Sequence, residues 1–407
     1  MHRPAGKAFV TGPPARIETR LRSRGEAPLA SGSQPCVAPC VKAPSEDVVI
    51  ETRFSTINAL GVLDNPNLAV TPQADAGEVD SLGYISAMRS IDERALADAR
   101  SAGLSAVNIT LGHVAGTTDA FCATVRDITS WNAFIAAHAG ALRRVLSVAD
   151  IAAASAAGQV GVIYGFQNTE MLGRELDRVR LFAKMGVRVI QLTYNGRNAV
   201  GDGATVPDDR GLSRFGAEVL ERLQAEGVLV DLSHSSEKTC LDALALAQRP
   251  LAITHSACRA VADHPRNKSD AELRLLADRG GVIGMYFMPY LRLAGQPVAA
   301  DLIAHLEHAI SVCGEDHVGL GTDGGTTGHD DMTAYRRQLE DEIAQRRRMG
   351  IGAPGETAEV CTFLPDLCGP TQFQRLADLL AARGHSERRI EKILGGNFRR
   401  LMTEAWA

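Results

Sequence analysis

The chain has 407 residues, of which 45% are hydrophobic and 22% are charged, and its formal net charge is −5. This balance is typical of a globular protein and excludes the strongly basic surface that nucleic-acid binding requires. No stretch approaches the roughly 18 consecutive apolar residues of a membrane span, and the first residues lack the apolar core of a secretory signal. We therefore expect a cytoplasmic protein with no nucleic-acid or membrane partner and with reduced cysteines.

The beginning of the chain differs in composition from the rest. Residues 1–45 are rich in proline, glycine, serine, alanine and arginine and show no hydrophobic periodicity. Such a composition buries too little apolar surface to offset the entropy of ordering the chain, so we predict a disordered or loosely packed leader. Residues 46–407 contain neither a linker nor an internal repeat, which favours a single catalytic domain.

After the leader, short β-branched runs alternate with helical patterns, several of which end in glycine just before the next strand. Alternating strands and helices predict a parallel sheet, and eight strands are the number that closes a (β/α)8 barrel of the TIM type. An open, doubly wound sheet is the competing arrangement. The predicted strands are Val48–Arg53, Ala106–Leu111, Val160–Phe166, Val187–Leu192, Val228–Leu232, Leu251–Thr254, Gly281–Phe287 and His317–Gly321.

Two of these strands end in histidine. The stretch GVLVDLSHSS carries His234 just after the fifth strand, and PLAITHSA carries His255 after the sixth. The eighth strand is followed by Asp323, in GLGTDGG. Catalytic groups of a TIM-type barrel lie at the C-terminal strand ends, and imidazoles there are good zinc ligands. The pattern therefore predicts a metal-dependent hydrolase-like site, in which a carboxylate takes the proton of metal-bound water.

The segment GLGTDG also matches the G-x-G-x-x-G pattern of dinucleotide-binding proteins. That pattern requires a helix beginning at the third glycine, whereas the loop sequence TTGHDDMT follows here. The metal-site interpretation is therefore favoured. The charged run AYRRQLEDEIAQRRR, which comes next, is most simply a solvent-exposed helix.

Further polar residues follow the strands and extend the candidate site. Arg266, in DHPRNKSD, comes shortly after the sixth strand. Its guanidinium matches a carboxylate with two parallel hydrogen bonds. The remaining strand ends supply Arg53, His113, Gln167, Tyr194, Asn195 and Tyr286.

Four segments are similar to the membrane dipeptidase (renal dipeptidase) family of zinc metallopeptidases: VDLSHSSEKTCLDAL, RPLAITHSACRAVADHPRNKSDAELRLLADRGGVIGMYF, HVGLGTDGG and EKILGGNFRRL. The similarity covers about residues 46–404. It implies a (β/α)8 barrel, a two-zinc site and cleavage of dipeptides. It also implies that His234 and His255 bind one zinc, that Arg266 binds the substrate carboxylate, and that Asp323 moves the proton.

Half of that two-zinc site is missing from this sequence. The first strand of the family carries a His-x-Asp pair, whereas no histidine lies between His2 and His113 here. The glutamate that bridges both metals in the family corresponds to Gln167, and the histidine of the fourth strand corresponds to Tyr194. A neutral amide does not offset the charge of two cations, so the resemblance does not extend to the second zinc.

We therefore expect zero or one zinc ion rather than two. A single ion would be held by His234 and His255, with Gln167, Asp323 or His113 as further ligands. The side chain of Arg53, if it points into the site, places a fixed positive charge where the family holds its second ion.

Three functions remain open from the sequence. The first is a hydrolase with at most one tightly bound metal ion, which cleaves a dipeptide or small carboxylated amide with Asp323 as general base. The second is a metal-poor relative that performs lyase or isomerase chemistry on a small carboxylated metabolite, using Tyr194, Asp323 and Arg53. The third is a non-catalytic binder of a small molecule. Arg266 predicts a ligand with a free carboxylate in each case, and the resemblance suggests a homodimer.

Overall fold

The computed structural model describes residues 53–68, 90–116 and 119–407. The predicted leader lies outside these residues, so the leader and the start of the domain at residue 46 stay predictions. In the described part, strands pair in parallel in the order β1-β2-β4-β5-β6-β7-β8-β9, and the short β3 pairs with β4. The strands are β1 Thr56–Asn58, β2 Leu104–Thr110, β3 Leu142–Arg144, β4 Val160–Phe166, β5 Val187–Gln191, β6 Leu229–Asp231, β7 Ala252–Ser256, β8 Val282–Met285 and β9 Val318–Leu320.

The first and last strands meet and close the sheet into a barrel. The backbone N–H of Ala59 donates to the carbonyl of Leu320 at 3.0 Å. The Asn58 amide donates to the Thr322 hydroxyl at 2.8 Å and accepts from the Thr322 backbone N–H at 2.8 Å. The (β/α)8 barrel expected from the sequence is therefore confirmed.

Helices alternate with the strands and cover the barrel. Several begin at a serine whose side chain accepts a hydrogen bond from the first turn, as Ser213, Ser236 and Ser269 do. The described helices are α1 Glu93–Ser101, α2 Ala120–Ala137, α3 Val148–Ala156, α4 Asp177–Lys184, α5 Arg214–Ala225, α6 Glu237–Leu246, α7 Asp270–Asp278, α8 Ala299–Cys313, α9 Met332–Arg348, α10 Gln372–Ala382, α11 Glu387–Glu391 and α12 Asn397–Ala405, with a π-helical turn at Lys392–Gly396 and 3-10 turns at Glu170–Leu172, Pro289–Leu291 and Glu315–His317.

One end of the barrel is plugged by α12. Phe398, Leu401 and Met402 of this helix pack with the inward-facing residues of the strands in one buried cluster. The Asn397 amide donates to the Val318 carbonyl at the start of β9, and Arg400 donates to the Gly280 carbonyl just before β8. These contacts lie at the N-terminal ends of the strands, so the C-terminal ends are left for the site.

Seven of the eight predicted strands are confirmed within two residues at either end, because both faces of each are buried and the apolar runs are continuous. The first was placed wrongly. The predicted strand at 48–53 lies almost wholly outside the described residues, and the strand in that position is Thr56–Asn58. Three residues are too few to show an alternating pattern, and the same is true of β3, which the sequence did not predict.

Among the described residues, no helix is long and apolar enough to cross a lipid bilayer. Cys122, Cys240, Cys258, Cys313 and Cys361 are free thiols, as expected. Cys368 is disulfide-bonded, so the prediction of reduced cysteines is wrong for this residue. The cytoplasmic location and the homodimer stay predictions.

Candidate active site

A cavity of about 210 Å³ lies at the C-terminal end of the barrel. We call it the catalytic cavity. His255 does not line this cavity, but it is fully buried and contacts His234. Residues from β4, β5, β6, β7 and β9 strand ends meet there, and the lining includes Gln167, Tyr194, Asn195, His234, Arg266 and Asp323.

The two strand-end histidines form a close pair. The Nε2 atoms of His234 and His255 lie 2.9 Å apart. The ring of Tyr194 stacks on His234, with centroids 4.2 Å apart and planes 20° from parallel. Burial first, and then the charge of Arg266, lowers the pKa of both imidazoles well below the usual range. Both rings are therefore neutral at pH 7, the state in which an imidazole ligates a metal.

The outer nitrogens of the pair are held by hydrogen bonds that orient both rings. Asn195 Nδ2 donates to the Ile351 carbonyl at 2.7 Å, so Oδ1 of the same amide faces His234 Nδ1, also at 2.7 Å. His234 Nδ1 therefore carries the proton and donates it. On the other ring, Nδ1 lies 2.8 Å from the Thr254 hydroxyl, which itself donates to the carboxylate of Asp231 at 2.6 Å.

With both Nδ1 atoms donating, the lone pairs of the two Nε2 atoms face each other. A cation bound to both lone pairs, either a proton or a metal ion, would relieve their repulsion. The lowered imidazole pKa values disfavour the proton. His234 and His255 therefore supply two nitrogen ligands for one metal ion.

The same donor set does not fit two ions. Catalytic zinc is normally held by three protein ligands, and no group of three or more His, Cys, Asp or Glu side chains is arranged to hold a metal anywhere in the described residues. Leu60 and Val62 follow β1 and offer no ligand. The Gln167 amide, in the place of a bridging carboxylate, donates to the Thr110 hydroxyl at 2.6 Å.

Arg266 is a buried cation that has no counter-ion among the described residues. Its side chain is among the largest that are fully buried, and it lines the catalytic cavity. Nη1 donates to the Ser233 carbonyl at 2.6 Å, and no carboxylate in the described residues pairs with the guanidinium. A buried charge is costly unless it is paired, so this geometry points to an anionic group of a ligand.

Asp323 reaches the cavity through an unusual backbone conformation. Its φ is 58°, in the left-handed region, which no other described residue except glycine adopts. Aspartate tolerates this region better than most residues do. The Asp323 N–H donates to the Leu60 carbonyl at 3.0 Å, and this bond fixes the turn after β9.

The carboxyl group of Asp323 is poised to exchange a proton near neutral pH. Burial raises its pKa to about 6, against the opposing charges of Arg266 and Arg346. No described side chain donates a hydrogen bond to it. Burial also raises the pKa of Tyr194 to about 12, with the charge of Asp323 adding to the shift, so the phenol stays a neutral donor. A carboxyl with a pKa near the working pH is suited to general acid–base catalysis.

Two residues proposed from the sequence are not brought to the cavity. Arg53 lies on the surface, where its guanidinium pairs with Glu387 at 3.0 Å. It precedes β1 and therefore lies at the opposite end of that strand, so Arg53 does not place its positive charge in the site. His113 is buried after β2 and lies 3.0 Å from Glu170, and it does not line the catalytic cavity.

Helix α9 and the segment after it cover the cavity, a role that the sequence did not reveal. Arg346, which lines the cavity, pairs with Glu356 at 3.3 Å and with Glu342 at 3.7 Å. The interpretation of α9 as a solvent-exposed helix is therefore wrong for one of its faces. Tyr335, Leu339 and Ile343 are spaced every four residues and buried, and that apolar stripe was the signal in the sequence.

A parallel barrel with imidazoles, a carboxyl and an arginine at its C-terminal strand ends defines the class of barrel hydrolases. Within that class, the model of the membrane dipeptidase family, peptidase family M19, matches residues 92–350. The chain belongs to this family. The family-level expectation from the sequence is confirmed.

Individual relatives are similar over parts of the chain. An uncharacterized dipeptidase of Schizosaccharomyces pombe is 33% identical over 191 residues, which are 44% of this chain and 46% of the relative. An uncharacterized protein in the pqqA 5′ region of Klebsiella pneumoniae is 31% identical over 286 residues, 67% of this chain and 92% of the relative. This chain spans about half the length of the first curated dipeptidases it matches.

A solved structure supports the same relationship. An amidohydrolase from Pseudomonas aeruginosa is 28% identical to this chain, with a TM-score of 0.70. The match covers 87% of this chain and 97% of the other. The whole barrel, and not just the segment around His234 and His255, is therefore shared with that protein.

Proposed function

We propose that this protein hydrolyses the amide bond of a dipeptide, or of another small amide with a free carboxylate, using at most one tightly bound metal ion. The observation that carries the proposal is that Arg266, which no described carboxylate pairs with, and Asp323, whose pKa is about 6, line the same cavity. Membership of the dipeptidase family supports the reaction class.

Binding begins with the substrate carboxylate. The guanidinium of Arg266 is held from behind by the Ser233 carbonyl, which fixes its direction before the substrate arrives. A carboxylate accepts two parallel hydrogen bonds from such a group, and desolvation in the cavity strengthens them. Because Arg266 and Asp323 line the same cavity, the anchored carboxylate places the neighbouring amide near Asp323.

The proposed chemistry is general acid–base hydrolysis. The Asp323 carboxylate takes a proton from water, and the water oxygen attacks the amide carbonyl carbon. The protonated carboxyl then returns the proton to the leaving nitrogen as the C–N bond breaks, giving a carboxylic acid and an amine. Tyr194 lines the cavity and keeps its proton at neutral pH, so in this proposal its hydroxyl is the donor that stabilises the developing oxyanion.

A single metal ion, when bound by His234 and His255, would supply Lewis-acid polarisation beside this cavity. The hydrogen bonds that the two imidazoles donate to Asn195 and Thr254 hold both ligands in the orientation that such an ion needs. The non-hydrolytic alternative is not favoured, since the structure places Arg53, one of its three expected polar groups, on the surface.

Turnover of a small panel tests the proposal. Purified full-length protein is given free dipeptides, the same dipeptides with an amidated C-terminus, and an unrelated ester. We expect release of amino acids from the free dipeptides only. If every dipeptide is bound without being cleaved, both with and without added zinc, the protein is a binder rather than a hydrolase.

Metal content is a second test. We expect at most one tightly bound zinc ion per chain, and none after His234→Ala, because His234 and His255 are the two nitrogen ligands that face each other. Elemental analysis after dialysis measures this. His308→Ala is a control, because His308 pairs with Asp270 away from the catalytic cavity. Two equivalents of zinc in the wild type would show that other ligands exist.

A further inference from the structure

A second cavity, of about 180 Å³, adjoins the catalytic cavity. Asp323, Glu342 and Thr362 line both of them. The second cavity extends from these residues toward Asp64, which follows β1, and toward the α9 side chains. We call it the acidic chamber. Because the general base lies at the junction, a ligand that reacts there can reach into both spaces.

The charges of the acidic chamber are not balanced. Asp64, Asp323 and Glu342 line it, whereas no lysine or arginine of the described residues does. Its His329 is neutral at pH 7, since burial lowers the pKa of that imidazole to about 4. The described residues that line the chamber therefore give it a net negative charge.

Among these carboxyl groups, Asp64 has the fewest described side chains near it that would stabilise its negative charge. No described side chain pairs with it, and its pKa is raised to about 6 by burial, with the charge of Glu342 adding to the shift. Glu342, by contrast, accepts from Gln338 at 2.9 Å and lies 3.7 Å from Arg346. A cation in the chamber would relieve the repulsion between the two carboxylates.

The described residues do not favour a metal ion as that cation. Within the described residues, no three acidic, histidine or cysteine side chains converge closely enough to hold one. The wall is instead partly aromatic: His329 stacks on Phe363 at 4.7 Å, and Tyr335 meets Phe363 edge-on at 5.3 Å. Spread carboxylates beside aromatic faces suit an organic ammonium group, which is larger and is also attracted to aromatic faces.

The two cavities thus separate charge by sign. Arg266 lies in one and Asp64 in the other, neither of them paired with an opposite charge among the described residues, and Asp323 lies between them. We propose that Asp64 and Glu342 bind the free amino group of the substrate, so that this protein selects zwitterionic dipeptides over N-acyl amino acids. This inference rests on the proposed function and deepens it.

Three compounds that differ only at the amine test the selection. They are L-alanyl-L-alanine, its N-acetyl derivative, and 2-hydroxypropanoyl-L-alanine, in which a neutral hydroxyl of similar size replaces the ammonium. Equilibrium binding and kcat/KM are measured for each on the full-length protein. We expect the free dipeptide to be favoured about 10- to 100-fold over both others, the usual effect of a hydrogen bond to a charged group.

Substitution of Asp64 and Glu342 tests whether the acidic chamber causes the preference for the free dipeptide. Asp64→Asn should remove most of the preference by weakening the free dipeptide about 10-fold or more, while the hydroxyl analogue is unaffected. Glu342→Gln should act in the same direction. Asp278→Asn, the same chemical change on an exposed residue of α7, should change nothing.

The outcomes separate this inference from the proposed function. Equal binding of the three compounds by the wild type, or an equal loss for all of them in Asp64→Asn, overturns the inference even if hydrolysis is observed. Preferential binding of the free dipeptide that Asp64→Asn abolishes supports the inference, even if no compound is cleaved and the proposed hydrolysis fails.

Discussion

Asp323→Asn is expected to lower kcat for dipeptide hydrolysis by at least about 100-fold, the usual contribution of a general base. The asparagine amide fills the same space but cannot take the proton of water. The left-handed backbone at this position also suits asparagine, so the turn after β9 should persist. Steady-state kinetics on the free dipeptide measure the loss, with Asp278→Asn as the control.

The same substitution should stabilise the fold at neutral pH. Ionised Asp323 is disfavoured in the folded state, where its pKa is about 6 instead of the ordinary 3.8, so removing its charge is worth about 1–3 kcal/mol above pH 6. The gain should shrink as the pH falls from 6 and vanish below about 3.8. Thermal unfolding at several pH values measures it. A variant that is inactive and also less stable at pH 7.5 would indicate a structural role for Asp323 instead.

Arg266→Lys is expected to lower kcat/KM for a free dipeptide by about 10- to 150-fold, which corresponds to 1.5–3 kcal/mol for hydrogen bonds to a charged group. Lysine keeps the charge but cannot make two parallel hydrogen bonds to a carboxylate. A dipeptide with an amidated C-terminus should be affected little. Comparing the two substrates in the wild type and the variant measures the contribution.

Arg259→Lys is the matched control for this change. Arg259 belongs to the same loop region but pairs with Glu237 at 2.7 Å, and it does not line the cavity. An equal effect of Arg266→Lys on acid and amide substrates would mean that Arg266 only anchors its loop through the Ser233 carbonyl.

The sequence predicted the barrel well because most of its strands are buried on both faces. β4, for example, is a continuous apolar run whose predicted and observed limits are the same, Val160–Phe166. The histidine and aspartate positions followed from the strand ends, since a parallel barrel gathers all such ends on one side. Contacts between those side chains, such as the 2.9 Å approach of His234 and His255, depend on register and could not be read from spacing.

What the sequence missed shares one physical cause: the residues lie where local patterns are weak. The first strand was predicted at 48–53, whereas β1 is Thr56–Asn58. Asp64, the first carboxyl group after β1, was therefore not recognised as a residue of the C-terminal strand ends. The charge of α9 concealed a face that covers the cavity and carries Arg346. Asn195 was noted at a strand end, but its contact with Ile351, far away in sequence, is set by tertiary structure alone.

The barrel closes at the contacts between β1 and β9, which we call the seam, and these contacts form late in the synthesis of the chain. Asn58 and Thr322, whose side chains bond across it, are separated by 264 positions in the chain. Asp64 and Asp323 lie on opposite sides of that seam, so neither cavity exists until a ribosome has synthesised and released most of the molecule. Such long-range closure is slow. A nascent chain, or a fragment that ends before β9, can therefore carry β1 to β8 and both histidines and still lack Asp323 and the contacts that close the barrel.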